Sequence, residues 1–193
     1  GIDGAILDGS YTFSEITGLT NGTQYTFTVK AKNVVGWGNL SQSNAVIPAT
    51  TSTAPQISNL VAGDGKVTVT WTPPTDDGGS EITKYTVVAS PGGVSVEVNA
   101  ATTSVEVPGL TNGTSYTFTV TATNDQGDTP SAPSISIKPR TVPGKPTNVT
   151  RVSGNAQVNV SWDAPSDDGG SPVTGYVVTV SPGGLSVEVG ADI

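Results

Sequence analysis

The chain of 193 residues contains neither histidine nor cysteine. Ser-His-Asp triads, Cys-His dyads and the common zinc sites each need one or the other, so none can be assembled. What remains for acid–base work is a carboxylate pair of the kind that cleaves glycosidic bonds. Glu15, Glu81, Glu97, Glu106 and Glu188 fall on short strands or turns, with no long insertion between them to wall a cleft. The sequence therefore predicts no catalytic residue and no cofactor. The string DDGGS occurs twice, at 76–80 and 167–171. Hard cations take several oxygens from carboxylates and carbonyls, so Asp76, Asp77, Asp167 and Asp168 are the candidate ligands of a weak Ca²⁺ site. The favoured reading is a turn, in which Asp caps and Gly supplies positive φ.

Trp37 lies in the string NVVGWGN, residues 33–39, where the later copy of the same pattern has Asp128. An exposed indole there would stack on a sugar ring or anchor a protein partner. Packing on the linker or the neighbouring domain is the favoured expectation. Asn21, Asn39, Asn112, Asn148 and Asn159 each match Asn-x-Ser/Thr, glycan acceptors only in a host that glycosylates secreted proteins. For the two Asn-Gly pairs a tight turn is the expected role.

Sixteen acidic and eight basic side chains give a net charge of −8 and a pI near 4.2. Such a field repels phosphate backbones and anionic lipid, excluding nucleic acid and acidic membranes as favoured partners. Solubility is the plain reason for the acidity. No apolar run approaches the ~20 residues needed to span a bilayer, so no membrane insertion is predicted. The chain opens on Gly1-Ile2-Asp3, in the middle of a pattern and without a signal peptide. Without cysteine, stability comes from packing alone, as is common in bacterial surface proteins.

What must position these residues is a repeat. LTNGTQYTFTV at 19–29 returns as LTNGTSYTFTV at 110–120, and Trp71, Tyr85 and Pro91 return as Trp162, Tyr176 and Pro182. Each pair is separated by 91 positions, and that period covers the whole chain without an insertion or deletion. The low aromatic content, 6%, suits several small cores better than one large one. With 24 Gly and 14 Pro, short strands joined by tight turns are expected. In residues 66–72, Val67, Val69 and Trp71 alternate with Thr68 and Thr70, the period of a half-buried strand. Similar alternation predicts strands at 56–60, 84–89, 94–98 and 104–107, and a long one through Tyr116, Phe118, Val120 and Ala122. Ile135 and Ile137 are expected in the last strand. No amphipathic helix is visible. The expected fold is all-β, a tandem of seven-stranded antiparallel sandwiches.

A strand-borne Trp followed by Pro-Pro, DDGGS and Ile/Val-Thr-x-Tyr resembles the second and third strands of a fibronectin type III domain, an Ig-like sandwich. The run Leu110 to Tyr116 is similar to that family's tyrosine corner, and Ala122-x-Asn124 also matches. The resemblance implies strands A, B and E packed against C, C′, F and G. It implies a core holding Trp71, Tyr85, Leu110 and Tyr116, with Leu19, Tyr25, Trp162 and Tyr176 as their counterparts. It divides the chain into residues 1–50 (strands E to G of one domain), 54–142 (a complete domain) and 143–193 (strands A to C′ of a third). The Pro-bearing joints at 49–55 and 140–146 are expected to limit interdomain angles without locking them.

The functional expectation is a non-catalytic extracellular array, a spacer in a surface stalk or filament, whose partners are neighbouring repeats or head-to-tail copies. A carbohydrate- or receptor-binding module, with polysaccharide as ligand and Trp37 as contact, is the alternative. The end segments are complementary. Either the chain is a window on a longer repeat, or copies join by completing a split domain, with Tyr25 and Phe27 against the next copy's Val160, Trp162 and Tyr176. Two periods of 91 leave eleven residues over, which favours the window.

Overall fold

The structure, a computed structural model, describes residues 12–190. Its strands are β1 (Thr28–Val29), β2 (Ser41–Gln42), β3 (Gln56–Gly63), β4 (Lys66–Thr72), β5 (Lys84–Ser90), β6 (Ser95–Asn99) and β7 (Ser104–Val107), then β8 (Thr117–Asn124), β9 (Gly127–Pro130), β10 (Thr147–Gly154), β11 (Gln157–Asp163), β12 (Gly175–Thr179) and β13 (Ser186–Gly190). The described residues contain no helix.

The middle repeat forms two antiparallel sheets, of order β3-β4-β7 and β6-β5-β8-β9. These are the A-B-E and C′-C-F-G sheets that the resemblance implied. Alternation sets the faces, because successive side chains point to opposite sides of a strand. Val67, Val69 and Trp71 of β4 turn inward to meet Tyr85, Val87 and Ala89 of β5 and Phe118, Val120 and Ala122 of β8. Val107, Leu110 and Tyr116 complete the buried cluster. Trp71 and Tyr85 meet edge to face, with ring centroids 5.3 Å apart and planes at 61°, an arrangement that aromatic quadrupoles favour. On the outer faces Lys66 pairs with Glu106 and Lys84 with Glu97, each at 2.6 Å. These exposed cross-strand pairs add little stability individually.

The Tyr85 hydroxyl is held above the ordinary tyrosine value of 10.0 by burial, which disfavours the phenolate. The unfolded chain therefore ionises first. The stability that Tyr85 contributes is complete below 10.0 and is lost as pH rises through its raised folded value. Urea unfolding across this alkaline range is expected to show falling stability, with a shallower fall in Tyr85→Phe. Equal slopes in the two proteins would contradict the assignment.

The last strand differs from expectation. Ile135 is 82% exposed, and the regular pairing with β8 is made by β9 at residues 127–130. Pro130 and Pro133 cannot donate to a ladder, so the edge continues irregularly. Ser131 Oγ accepts from Val120 N at 3.0 Å, Ser134 Oγ accepts from Phe118 N at 2.9 Å, and Ile137 makes an isolated bridge to Tyr116. Serine hydroxyls thus replace the missing strand partners. Such an interrupted edge also resists pairing with other sheets.

The end segments hold two-stranded antiparallel sheets. β1 pairs β2 in the head, and β10 pairs β11 and β12 pairs β13 in the tail. Residues 13–16, the head's counterpart of β7, form no strand. Within the middle repeat β7 is bonded to β4, whereas among the described residues no strand pairs with 13–16. Trp162 and Tyr176 keep the edge contact, at 5.2 Å and 61°. Their face is uncovered, however: Val160 is 36% exposed where its counterpart Val69 is fully buried. Leu19, Tyr25 and Phe27 are likewise half-buried.

Candidate interaction surfaces

The tyrosine corner forms in both copies. Tyr116 Oη accepts from Thr111 N at 3.1 Å, and Tyr25 Oη accepts from Thr20 N at 3.0 Å. The latter bond favours the charged oxygen and lowers the Tyr25 pKa. Tyr116→Phe removes one partly buried bond and is expected to cost about 1 kcal/mol, read from the urea midpoint. No loss at all would mean that the hydroxyl merely accompanies the packed ring. Asn112 ties this corner to the β3–β4 turn: its Nδ2 donates to Asp64 Oδ1 at 2.8 Å and its Oδ1 accepts from Gly65 N at 2.9 Å. The side chain that the glycan reading requires is therefore already occupied in holding two turns together.

In the DDGGS loops all four carboxylates fold back on their own turn. Asp76 Oδ1 accepts from Gly78 N, Asp77 Oδ1 from Gly79 N, Asp167 Oδ1 from Gly169 N and Asp168 Oδ1 from Gly170 N, each at 2.8 Å. Gly78 and Gly79 have φ of +75° and +81°, left-handed values that glycine reaches without strain. This is side-chain-to-backbone turn chemistry. Among the described residues no three His, Cys, Asp or Glu residues gather as a cation cage. Millimolar Ca²⁺ is expected to leave the melting temperature unchanged, because a ligand bound only to the folded state would raise it. A rise abolished by Asp76→Asn with Asp77→Asn would reverse the reading.

The loops do more than turn. Thr50 N donates to Gly78 O at 2.9 Å and Thr53 N to Asp76 O at 2.8 Å, while Thr53 Oγ1 accepts from Asp76 N at 3.1 Å. The joint at 49–55 is thus bonded along the loop of the following repeat and is held more firmly than its composition suggests. Asn124, buried at the end of β8, spends its amide on three carbonyls: Thr50 O at 2.9 Å, Asp77 O at 2.8 Å and Ser80 O at 3.3 Å. It is the residue that sequence reasoning underrated. The signal available was a polar residue placed in phase with Phe118, Val120 and Ala122.

Trp37 sits on the hairpin turn of the head, its backbone bridged to Lys32. It is 54% exposed, and Lys32 Nζ lies 5.3 Å from the ring centroid, a cation–π distance. The hairpin is closed by Asn33, whose Oδ1 accepts from Val35 N and Gly36 N at 2.9 and 3.1 Å. One side of the indole is thus shared with an internal cation. Of the glutamates named in the sequence, Glu97, Glu106 and Glu188 lie on β6, β7 and β13, and Glu15 and Glu81 lie outside the strands. Glu97 and Glu106 are bound to the lysines already described.

The family model described as Fibronectin type III domain matches residues 53–138. The chain belongs to the fibronectin type III family. Curated relatives carry this kind of sequence within much longer proteins. Chitinase A1 of Niallia circulans is 37% identical over 139 residues, 66% of this chain and 19% of that protein. Exoglucanase B of Cellulomonas fimi is 32% identical over 182 residues, 84% of this chain and 16% of that protein. Among solved structures, the chicken CNTN1 FN1-FN3 domains match 64% of this chain and 45% of theirs at 25% identity, with a TM-score of 0.42. The chain thus spans less than a fifth of the two enzymes it resembles, and the fibronectin type III portion is a module within them. Among the described residues no helix is long and apolar enough to cross a membrane.

Proposed function

We propose that the chain is a non-catalytic extracellular spacer array, part of a surface stalk or filament, that sets distance and presents surface for protein interaction. The observation that carries this reading is recurrence. The bond from Thr50 N to Gly78 O at 2.9 Å returns 91 positions later, from Thr141 N to Gly169 O at 2.8 Å. A module joined to its successor in the same way each time adds length in equal steps. Small sandwiches without His or Cys contribute rigidity and surface rather than chemistry. The acidic charge suits a soluble surface that avoids anionic lipid and nucleic acid. Its partners under this reading are neighbouring repeats and further copies in head-to-tail order.

The second reading, an accessory module that binds polysaccharide, is favoured by the half-exposed Trp37 and by relatives named as a chitinase and an exoglucanase. An affinity screen against chitin, cellulose and soluble glucans separates the two. The spacer reading expects no retention on any of them. Retention lost in Trp37→Ala would replace it with the binding module.

A further inference from the structure

We infer that the DDGGS loop is the surface through which each repeat docks on the one before it, and that its glycines fix the angle of that joint; the inference rests on reading the chain as an array. A turn explains why these positions are glycine, but only in part. Gly92, Gly93, Gly109 and Gly184 also have positive φ, and a Cβ added to any of them would meet nothing within 4 Å. The loop glycines are different. A Cβ on Gly79 would lie 2.2 Å from Gly22 N and 2.7 Å from Asn21 C, and one on Gly78 would lie 2.3 Å from Thr50 O. The obstructing atoms belong to the corner turn of the preceding repeat and to the linker. All are backbone, so no side chain can swing aside.

The arrangement then repeats. A Cβ on Gly170 would lie 2.3 Å from Gly113 N and 2.9 Å from Asn112 C, and one on Gly169 would lie 2.4 Å from Thr141 O and 2.7 Å from Val142 O. Every partner is the 91-residue counterpart of its predecessor. The linker bond repeats as well, with Gly144 N donating to Asp167 O at 2.9 Å where Thr53 N donates to Asp76 O. The two contact surfaces lie at opposite ends of the sandwich. The Asn112-Gly113 turn sits beside the β3–β4 turn through its bonds to Asp64 and Gly65, whereas the DDGGS loop sits at the other end beside Asn124. The middle repeat therefore carries a seat at one end and a matching loop at the other. The partner of each Asn-Gly turn is the DDGGS loop of the next repeat, at a distance only glycine allows.

The test uses the full chain, which has no cysteine to interfere. Spin labels on Ser95→Cys in the middle repeat and Ser153→Cys in the tail, both exposed, report the interdomain distance distribution by pulsed electron resonance. A narrow distribution is expected, at least doubled in width by Gly170→Ala. Gly184→Ala, with comparable φ (+66° against +83°) in the same segment but open space around it, is expected to leave the width unchanged. A broad distribution in the parent, or a Gly170→Ala distribution as narrow as the parent's, overturns the inference. So does equal broadening by both substitutions, since that would trace to strain or unfolding of the tail. Retention on a polysaccharide bears on the spacer reading alone and leaves these widths unaffected.

Discussion

Trp71→Ala is expected to destabilise the middle sandwich by about 3–5 kcal/mol, the range for removing a large aromatic from a packed core. The side chain is 2% exposed and belongs to the buried core cluster of the middle repeat. Its ring also makes the edge contact to Tyr85, so truncation leaves a cavity and an unpartnered aromatic together. Against a total stability of roughly 5–15 kcal/mol for a domain, that loss brings the sandwich near its unfolding threshold. Urea titration of the variant measures it. A cost below about 1 kcal/mol would mean that the indole is not central to the fold, and the assigned register of β4 would fail with it.

The second large effect is expected at Asn124. Asn124→Ala leaves the carbonyls of Thr50, Asp77 and Ser80 without their shared donor. It also removes the acceptor Asn124 Oδ1 from Gln126 N. A lost hydrogen bond costs about 0.5–1.5 kcal/mol net, and several part-buried ones go together here, so a loss of about 2–3 kcal/mol is expected. Asn124→Asp keeps the acceptor and removes the donor, and should recover little. Full recovery in that variant would show that the turn at 124–127 matters and that the three carbonyls do not. Because one of those carbonyls belongs to the linker, the same substitution should also loosen the joint between the head and the middle repeat.

The sandwich was legible in the sequence because its signal is local. Period-two alternation in residues 66–72 placed Val67, Val69 and Trp71 inward without knowledge of any partner strand, and the bounds of β4 and β7 follow the pattern residue for residue. The last strand was misread because Ile135 and Ile137 satisfy the same alternation although prolines upstream prevent a regular ladder. There the hydrogen-bonding capacity of Ser131 and Ser134 decided the path, and hydropathy carries no trace of it. In sequence the DDGGS loops read as turns, and nothing in the string signalled the close approach to the preceding repeat. Glycine looks the same in sequence whether it serves a positive φ or a close approach, and Gly79 needs both while Gly109 needs one. Contact with the preceding repeat is a tertiary fact that spacing alone does not encode. Trp37 was singled out by its exposure-prone loop, but the stacked Lys32 could be inferred only once the hairpin had brought positions 32 and 37 opposite each other.

Identical joints would make the array a ruler. Small-angle X-ray scattering on chains carrying one, two and three copies of the 91-residue repeat tests it most directly. A strand of eight residues spans roughly 26 Å at about 3.3 Å per residue, so each end-to-end copy should extend the maximum dimension by a constant step of about 30–40 Å once its turns are included. Equal steps and an unchanged cross-section are expected. Steps that shrink with each added copy, as in a freely hinged chain whose span grows roughly as the square root of its length, would contradict this.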